Sequence, residues 1–252
     1  MKTLSIDIGG TGLKAMVLDA RGAPLTDRAR VATPRPATPK ALLRAIEKLI
    51  APLMPYDRIS AGFPGVVIEG VTKTGPNLHP SWAGFPLART LARRLRKPAR
   101  VLNDAGVQGF GVIDGKDLEL VLTLGTGLGS ALFYRGVYIP NLELAHHPFR
   151  KGDTYEDYLG LRALHAVGKK KWNKRVVKAV EQIEPIWNPR RIYLGGGNAK
   201  HLTIALPRHV RITPNAAGLL GGIALWEARP PVKGRGEGWR NDVRSPPRRP
   251  IA

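Results

Sequence analysis

The chain has 252 residues, of which 43% are hydrophobic and 23% are charged, as in a globular protein with one large domain or two small ones. It contains no cysteine, which excludes disulfide-stapled folds and cysteine-bound zinc. Lys and Arg number 40 against 19 Asp and Glu, a formal net charge of +21, so we expect a polyanionic partner.

The first half of the chain opens with a predicted β-hairpin that has a glycine-rich tip. Strand patterns at 4–8 and 15–18 flank the sequence Gly-Gly-Thr-Gly at 9–12. The elements predicted after it are a strand at 25–32, a helix at 38–50, a strand at 59–63, a helix at 87–96, a strand at 100–102 and a helix at 105–112.

The second half repeats this opening. A buried-type strand at 118–124 leads into a second glycine turn at 125–130 and a strand at 131–136, and Gly-Thr-Gly-Leu occurs at both 10–13 and 125–128. We therefore predict a duplicated strand, turn and strand. The elements predicted after it are helices at 155–167 and 176–186, a strand at 192–194, the glycine run 195–197 and a helix at 216–228.

Each glycine run follows a strand, where bare backbone N–H groups can approach an anion closely. Any one of them could be only a tight turn. Asp7 stands immediately before the first turn and Lys14 just after it. An acid at that place can hold Mg²⁺ through water, and a lysine can meet phosphate oxygens, so we interpret the turns as phosphate sites.

Two further segments carry polar groups suited to chemistry. Asn103-Asp104 lies between a predicted strand and a helix, where Asp104 could cap the helix or accept a hydroxyl proton during phosphoryl transfer. Residues 140–147 supply a carboxylate, an amide and two imidazoles, which suit the hydroxyl groups of a sugar. The two His could also indicate a metal, but the chain has six His and no Cys, so we favour the sugar.

The order of these motifs resembles that of the ROK sugar kinases, and more narrowly that of the polyphosphate glucokinase and polyphosphate/ATP glucomannokinase branch. The matching segments are 7–14, 75–78, 103–104, 124–130, 140–146 and 195–197. The resemblance implies an α/β fold like that of actin, hexokinase and Hsp70, with two ribonuclease-H-like lobes around a central cleft. We place the lobes at 1–113 and 114–228, followed by a basic, Pro-rich tail at 229–252 that we predict to be disordered.

The resemblance also implies residue roles. Asp104 is the expected catalytic base, and Asp7 is expected to hold Mg²⁺ through water. The expected hexose contacts are Asn77, Asn103, Glu143 and His146. The expected donor-binding residues are Gly9, Gly10, Thr11, Lys14, Gly125, Thr126, Gly127, Gly195, Gly196 and Gly197. The family's zinc motif is absent, so no structural zinc is expected, and Ala145 replaces a glycine of the sugar loop.

We therefore predict a kinase that phosphorylates a hexose and uses polyphosphate, and also ATP, as the phosphoryl donor. The expected hexose is glucose, phosphorylated at its 6-hydroxyl group. A strictly ATP-dependent kinase and a non-catalytic sugar sensor remain as alternatives. A ROK repressor is disfavoured because six residues precede Asp7, too few for a DNA-binding helix pair. Two basic clusters, at 89–97 and 169–175, could form a track for a long polyanion or be solvated faces.

Three further expectations concern the location of the protein, its binding of nucleic acid and its oligomeric state. No apolar run reaches the roughly 20 residues of a membrane span, and the N-terminus lacks a signal-peptide pattern, so we expect a cytoplasmic protein. Aromatic residues make up 6% of the chain, too few for base-stacking platforms, and nucleic acid is not an expected partner. The resemblance implies a homodimer.

Overall fold

The structure is a computed structural model that describes residues 1–53, 55–213 and 217–227. Its strands are β1 (Thr3–Ile8), β2 (Gly12–Leu18), β3 (Ala29–Ala32), β4 (Arg58–Phe63), β5 (Val67–Ile68), β6 (Val71–Thr72), β7 (Ala99–Asn103), β8 (Leu118–Leu124), β9 (Leu128–Tyr134), β10 (Val137–Ile139), β11 (Pro148–Arg150), β12 (Asp153–Thr154), β13 (Arg191–Gly195) and β14 (Val210–Ile212). Its α-helices are α1 (Pro39–Ile50), α2 (Leu87–Leu95), α3 (Asp104–Phe110), α4 (Tyr155–Leu159), α5 (Leu161–Trp187), α6 (Ala217–Leu220) and α7 (Ala224–Glu227).

The first sheet has the strand order β3-β2-β1-β4-β7. β1, β2 and β3 form an antiparallel meander, while β4 and β7 run parallel to β1. The apolar sides of α1 and α2 pack against this sheet and form one hydrophobic core with it, which includes Leu42, Ile46 and Leu91. Helix α1 starts as the sequence predicts, because the Thr38 side chain accepts a hydrogen bond from the Ala41 N–H and Pro39 occupies the first turn.

The second sheet repeats the first. Its order is β10-β9-β8-β13-β14, again an antiparallel meander followed by two parallel strands. β1 and β8 hold equivalent places, and each is followed by a glycine turn and an antiparallel partner. The duplicated unit predicted from the sequence is confirmed.

Helix α3 lies between the two sheets and joins them. It follows β7 of the first sheet directly, and its Ala105 belongs to a core cluster with Val121 and Phe133 of the second sheet. Gly109 is required for this approach, because a Cβ there would overlap the ring of Phe133. Residues at the start of α3 are thereby fixed with respect to both sheets.

The described end of the chain returns to the first sheet. The Ser5 hydroxyl donates to the Leu219 carbonyl at 2.7 Å, and the Ser60 hydroxyl donates to the Gly222 carbonyl at 2.6 Å. Residues 217–227 were predicted to belong to the second lobe. In the structure they pack on the first sheet, because the buried hydroxyl groups of Ser5 on β1 and Ser60 on β4 bind their backbone carbonyls. The predicted helix is also split into α6, a 3-10 turn and α7. Residues 216 and 228 and the predicted tail at 229–252 lie outside the described residues.

Two other elements differ from their predictions. β3 is shorter than predicted. The Leu25 N–H donates to the carbonyl of Val17 in β2, so Leu25 belongs to the turn after β2 and does not extend β3. The sequence predicts two helices separated by a non-helical segment at 168–175. The structure interrupts the helix only at Gly168, where φ is 72° and α5 is kinked, so the rest of that prediction is wrong. The helix continues through the basic cluster because Trp172 and Asn173 on its inner side are buried there. None of the helices in the described ranges combines the length and hydropathy needed to cross a membrane.

Candidate active site

A cleft of about 630 Å³ lies where the glycine turns of the two sheets meet. Asn77 marks the meeting point. Its Cβ is 3.2 Å from the position that a Cβ on Gly10 would take, and its Nδ2 is 3.3 Å from the same position on Gly127. The cleft is also lined by the start of α3, the 140–147 loop and the 196–200 segment.

The first glycine turn connects β1 to β2 and is closed by a hydrogen bond from the Gly9 N–H to the Gly12 carbonyl at 3.0 Å. Arg35 stabilises the outer side of the turn by donating to the Gly10 carbonyl at 2.8 Å. Asp7 and Lys14 face each other across the two strands, and Lys14 Nζ lies 2.7 Å from Asp7 Oδ2. Thr11 is exposed at the tip. The predicted acid and lysine therefore lie together on the cleft wall.

The second turn, between β8 and β9, is closed by a 3.0 Å bond from the Gly125 N–H to the Gly127 carbonyl. Asn198 braces it, donating from Nδ2 to the Gly125 carbonyl at 2.7 Å and from its backbone N–H to the Leu124 carbonyl at 2.8 Å. Asn198 was not predicted from the sequence, since nothing in the pattern places it beside a turn more than 70 residues earlier.

The third glycine run is only partly at the cleft. Gly196 and Gly197 line it, and Gly196 has φ of 83°, a conformation that favours glycine. Gly195, predicted to be a donor contact, is instead buried at the end of β13, away from the cleft lining. Because Gly195 has no side chain, the amide group of Gln108 packs directly against its backbone. A Cβ atom on residue 195 would overlap that amide.

Asp104 is the first residue of α3 and lies on the cleft wall. The helix cap is Asn103, whose Oδ1 accepts from the N–H groups of Ala105 and Gly106, while its Nδ2 donates to Gly65 at 3.2 Å. Asp104 Oδ1 accepts a 2.8 Å bond from the Ala105 N–H. The Asn103 side chain, predicted to contact hexose, is thus engaged with backbone, although it lines the cleft.

The pKa of Asp104 is raised to about 7. The main cause is burial, and the charges of Asp7 and Glu143 add to it, while the Ala105 N–H acts in the opposite direction. A carboxyl group with such a pKa is half ionised near neutral pH, where it can accept a proton and return it.

The 140–147 loop brings Glu143 and His146 to the cleft, where the charge of Glu143 acts on Asp104. Ser130 of β9 anchors the loop, donating to the Leu142 carbonyl at 2.6 Å and accepting from the Leu144 N–H at 3.3 Å. His146 Nε2 lies 3.9 Å from Glu143 Oε2. Burial raises the pKa of Glu143, an effect that the imidazole of His146 opposes.

Besides Asn198, the acidic Glu156 and the amide Gln108 line the cleft without having been predicted from the sequence. Glu156 lies in α4, whose start is fixed by a capping box between Thr154 and Asp157, and its Oε2 accepts from the Leu128 N–H at 3.0 Å. Gln108 lies one turn after Asp104 on α3 and is 8% exposed. Its Nε2 has no hydrogen-bond partner among the described residues. The i, i+4 spacing from Asp104 was the available signal for Gln108.

Neither predicted basic cluster lines this cleft. In the cluster on α2, Arg94 pairs with Glu47 of α1 at 2.7 Å. In the cluster on α5, Arg175 lies over the ring of Tyr158 at 4.4 Å. The basic side chains that do line the cleft are Lys14, Arg28, Arg30 and Lys200.

Asp7 is the residue that fits the expected Mg²⁺. The described residues contain no group of three or more His, Cys, Asp or Glu side chains that could hold a metal ion. Mg²⁺ does not need such a cage, because it is commonly bound through one or two carboxylates together with substrate phosphates and water. Asp7, next to a glycine turn, offers a single carboxylate of this kind.

Comparison with known proteins gives concordant matches. The sequence model of the ROK family matches residues 3–139. The polyphosphate glucokinase of Mycobacterium tuberculosis strain H37Rv is 32% identical over 238 residues, which cover 86% of this chain and 88% of the relative.

Solved structures agree with this. The inorganic polyphosphate/ATP-glucomannokinase from Arthrobacter sp. strain KM superposes with a TM-score of 0.81 at 31% identity, covering 89% of this chain and 99% of that one. A ROK family glucokinase from Streptomyces griseus, solved with glucose and AMPPNP, has a TM-score of 0.75 at 20% identity over 89% of this chain and 99% of its own. The predicted actin/hexokinase-like fold is confirmed.

Proposed function

The chain belongs to the ROK family, and we propose that it transfers a phosphoryl group from inorganic polyphosphate or ATP to a hydroxyl group of a hexose. The observation that carries the proposal is the place of Asp104, in one cleft with both glycine turns and with Glu143 and His146. The names of the polyphosphate glucokinase and the polyphosphate/ATP-glucomannokinase support the same donors and acceptor class.

The donor end binds between the two glycine turns. The glycines at the turn tips let phosphate oxygens approach the backbone closely, and Lys14 supplies a positive charge to the terminal phosphate. Asp7 would hold Mg²⁺, which supplies neutralising charge to the donor oxygens when it is bound. The Lys14 and Asp7 side chains orient each other through their 2.7 Å pair.

Asp104 is the general base. The hexose oxygen forms a bond to the terminal phosphorus as the bond from that phosphorus to its bridging oxygen breaks. The hydroxyl proton passes to Asp104, and the shortened polyphosphate or ADP leaves with the electrons of the broken bond. Such transfer depends on positioning and on charge stabilisation, and a base with a pKa of about 7 is matched to neutral pH.

The hexose is held on the other side of Asp104. Glu143, His146, Asn77 and Glu156 present carboxylate, imidazole and amide groups to a ring of hydroxyls. Ala145 is buried in this loop and also lines the cleft, so its methyl group restricts the space for substituents on the sugar. We propose glucose as the acceptor and its 6-hydroxyl as the attacking group.

The test is a matrix of initial rates. Glucose, mannose and N-acetylmannosamine are each combined with ATP and with long-chain polyphosphate, with Mg²⁺ present, and the sugar phosphate formed is measured. We expect glucose with polyphosphate to give the highest kcat/KM. If sugar phosphate forms with ATP but not with polyphosphate, the proposal that polyphosphate is a donor is wrong. If no combination yields a sugar phosphate, the proposal that the protein is a kinase is wrong.

A further inference from the structure

A row of charged residues crosses the first sheet from the reaction site to the sheet edge. Asp7 on β1 is paired with Lys14 on β2, and Lys14 is paired with Arg30 on β3. Residues directly opposite each other in antiparallel strands share one face. With strands about 4.8 Å apart, the row extends roughly 10 Å along the cleft wall, and β3 is the edge strand.

Arg28 lies two residues before Arg30 in the chain, immediately ahead of β3. Both arginines are exposed and both line the cleft. The Arg30 guanidinium rests against the first glycine turn, because its Nε lies 3.3 Å from the position that a Cβ on Gly12 would take. Arg28 therefore adds a second guanidinium group next to Arg30 along the edge strand, not across the sheet.

Neither arginine has an ion-pair partner in the part of the chain that the structure describes. By contrast, Arg94 on α2 and Arg190 near β13 each have such a partner. Two unpaired guanidinium groups next to a phosphate turn form a site for further anions, and their planar forks match phosphate oxygens.

We propose that Arg28 and Arg30 bind the phosphate units of a polyphosphate donor that follow the transferred one. The inference rests on the proposed function, which places the terminal phosphate at the glycine turns. A polyphosphate chain continues with one negative charge per unit along the row. ATP offers only two phosphates after the transferred one before its uncharged nucleoside, whereas a long polyphosphate continues to present anions to both arginines. The row therefore selects polyphosphate over ATP.

The experiment uses charge-matched double variants of the whole chain. In Arg28→Gln/Arg30→Gln, two cleft charges are removed. In the control, Arg89→Gln/Arg93→Gln, two exposed charges of α2 outside the cleft lining are removed, so the net charge is the same. KM is measured for long-chain polyphosphate and for ATP at low and moderate salt, and thermal unfolding checks that all three proteins fold.

We expect the cleft variant to raise KM for polyphosphate by roughly tenfold or more, which corresponds to about 1.4 kcal/mol, and to raise KM for ATP by less. The dependence of polyphosphate KM on salt should also become shallower, because fewer counterions are released by two fewer phosphate contacts. The α2 variant should keep the wild-type KM and salt dependence.

Three results would overturn the inference, and each has a different pattern. Equal KM increases for ATP and polyphosphate in the cleft variant would mean that the arginines serve both donors alike. An equal loss in the α2 variant would mean that general charge attracts the chain. A wild-type protein that uses ATP and not polyphosphate would overturn the proposed donor, and this inference with it, before any variant is compared.

Discussion

Replacing Asp104 by Asn tests separately the proposed role of its carboxyl group as a base and the effect of that group's raised pKa on stability. The variant keeps the size of the side chain and an oxygen for the 2.8 Å bond from the Ala105 N–H. It removes the ability to accept a proton. A lost general base costs about 10² to 10⁴ in rate, so we expect kcat to fall by that factor, roughly 2.7 to 5.5 kcal/mol of barrier.

The same substitution should stabilise the fold at alkaline pH. The pKa of Asp104 is raised from 3.8 to about 7, so the native state keeps the proton between these values while the unfolded chain releases it. Stability is therefore lost as pH rises through this window, by up to about 4 kcal/mol once the native carboxyl ionises. Asn avoids this loss because it does not ionise.

The assays are kcat against pH and thermal unfolding at pH 5 and pH 8. Wild-type kcat should rise with pH up to about 7 and then level off, since the ionised form of Asp104 is the base. Asp104→Asn should raise Tm more at pH 8 than at pH 5, at about 2–4 °C for each kcal/mol. Asp153→Asn, at an exposed position on β12, is the control for removal of one carboxylate.

Two results would refute this reasoning. Retention of more than a tenth of the wild-type kcat would remove Asp104 from the role of base. A Tm change that is the same at both pH values, or that Asp153→Asn reproduces, would mean that the carboxyl group of Asp104 is not under an ionisation penalty in the folded protein.

Three other substitutions test the cleft. Glu143→Gln should raise the KM for hexose more than that for donor, and should move the rise of kcat to lower pH because one charge that raises the pKa of Asp104 is gone; equal KM effects would contradict this. Gly127→Ala should reduce turnover and lower Tm, since the new Cβ would displace the Glu156 carboxylate from its bond to the Leu128 N–H; wild-type activity and Tm would mean that this bond contributes to neither. Gln108→Leu should raise Tm, because its buried Nε2, which has no hydrogen-bond partner among the described residues, costs about 1–3 kcal/mol; an unchanged or lower Tm would mean that this amide is satisfied in the folded protein.

Local patterns were sufficient for the parts of the fold that are local. Helix α1 begins after Thr38, as its cap and proline indicate, and the glycine turns after β1 and β8 are recognisable from the repeated Gly-Thr-Gly-Leu. The duplication also gave the equivalence of the two sheets, because both copies bury the same kind of strand.

The contacts that complete the site could not be predicted, because they join distant segments. Asn198 braces a turn 73 residues earlier in the chain, and Asn77 lies between turns from different sheets. The place of Arg30 beside Lys14 depends on the register of β2 with β3. Gly195 shows the opposite case: it belongs to a glycine run of phosphate-loop type, yet it serves the packing of Gln108.

The basic clusters show why charge alone misleads about location. Both clusters have the composition of a polyanion track, but burial of Trp172 and Asn173 fixes α5 so that its lysines lie away from the cleft lining. Besides the predicted Lys14, positive charge at the cleft comes from Lys200 and from two arginines, Arg28 and Arg30, that the sequence gives no reason to single out. Their significance follows from the strand pairing that places Arg30 in line with Asp7 and Lys14, with Arg28 just ahead of the same strand.

The most direct test of the central claim is the identity of the product. Glucose labelled with ¹³C at C6 is incubated with purified long-chain polyphosphate, Mg²⁺ and either the wild-type protein or Asp104→Asn, and the products are followed by NMR. We predict that the wild-type protein yields glucose 6-phosphate, seen as coupling of the labelled carbon to phosphorus, and that Asp104→Asn yields at least a hundredfold less in the same time. Formation of no hexose phosphate by the wild-type protein, or of equal amounts by both proteins, would contradict the account.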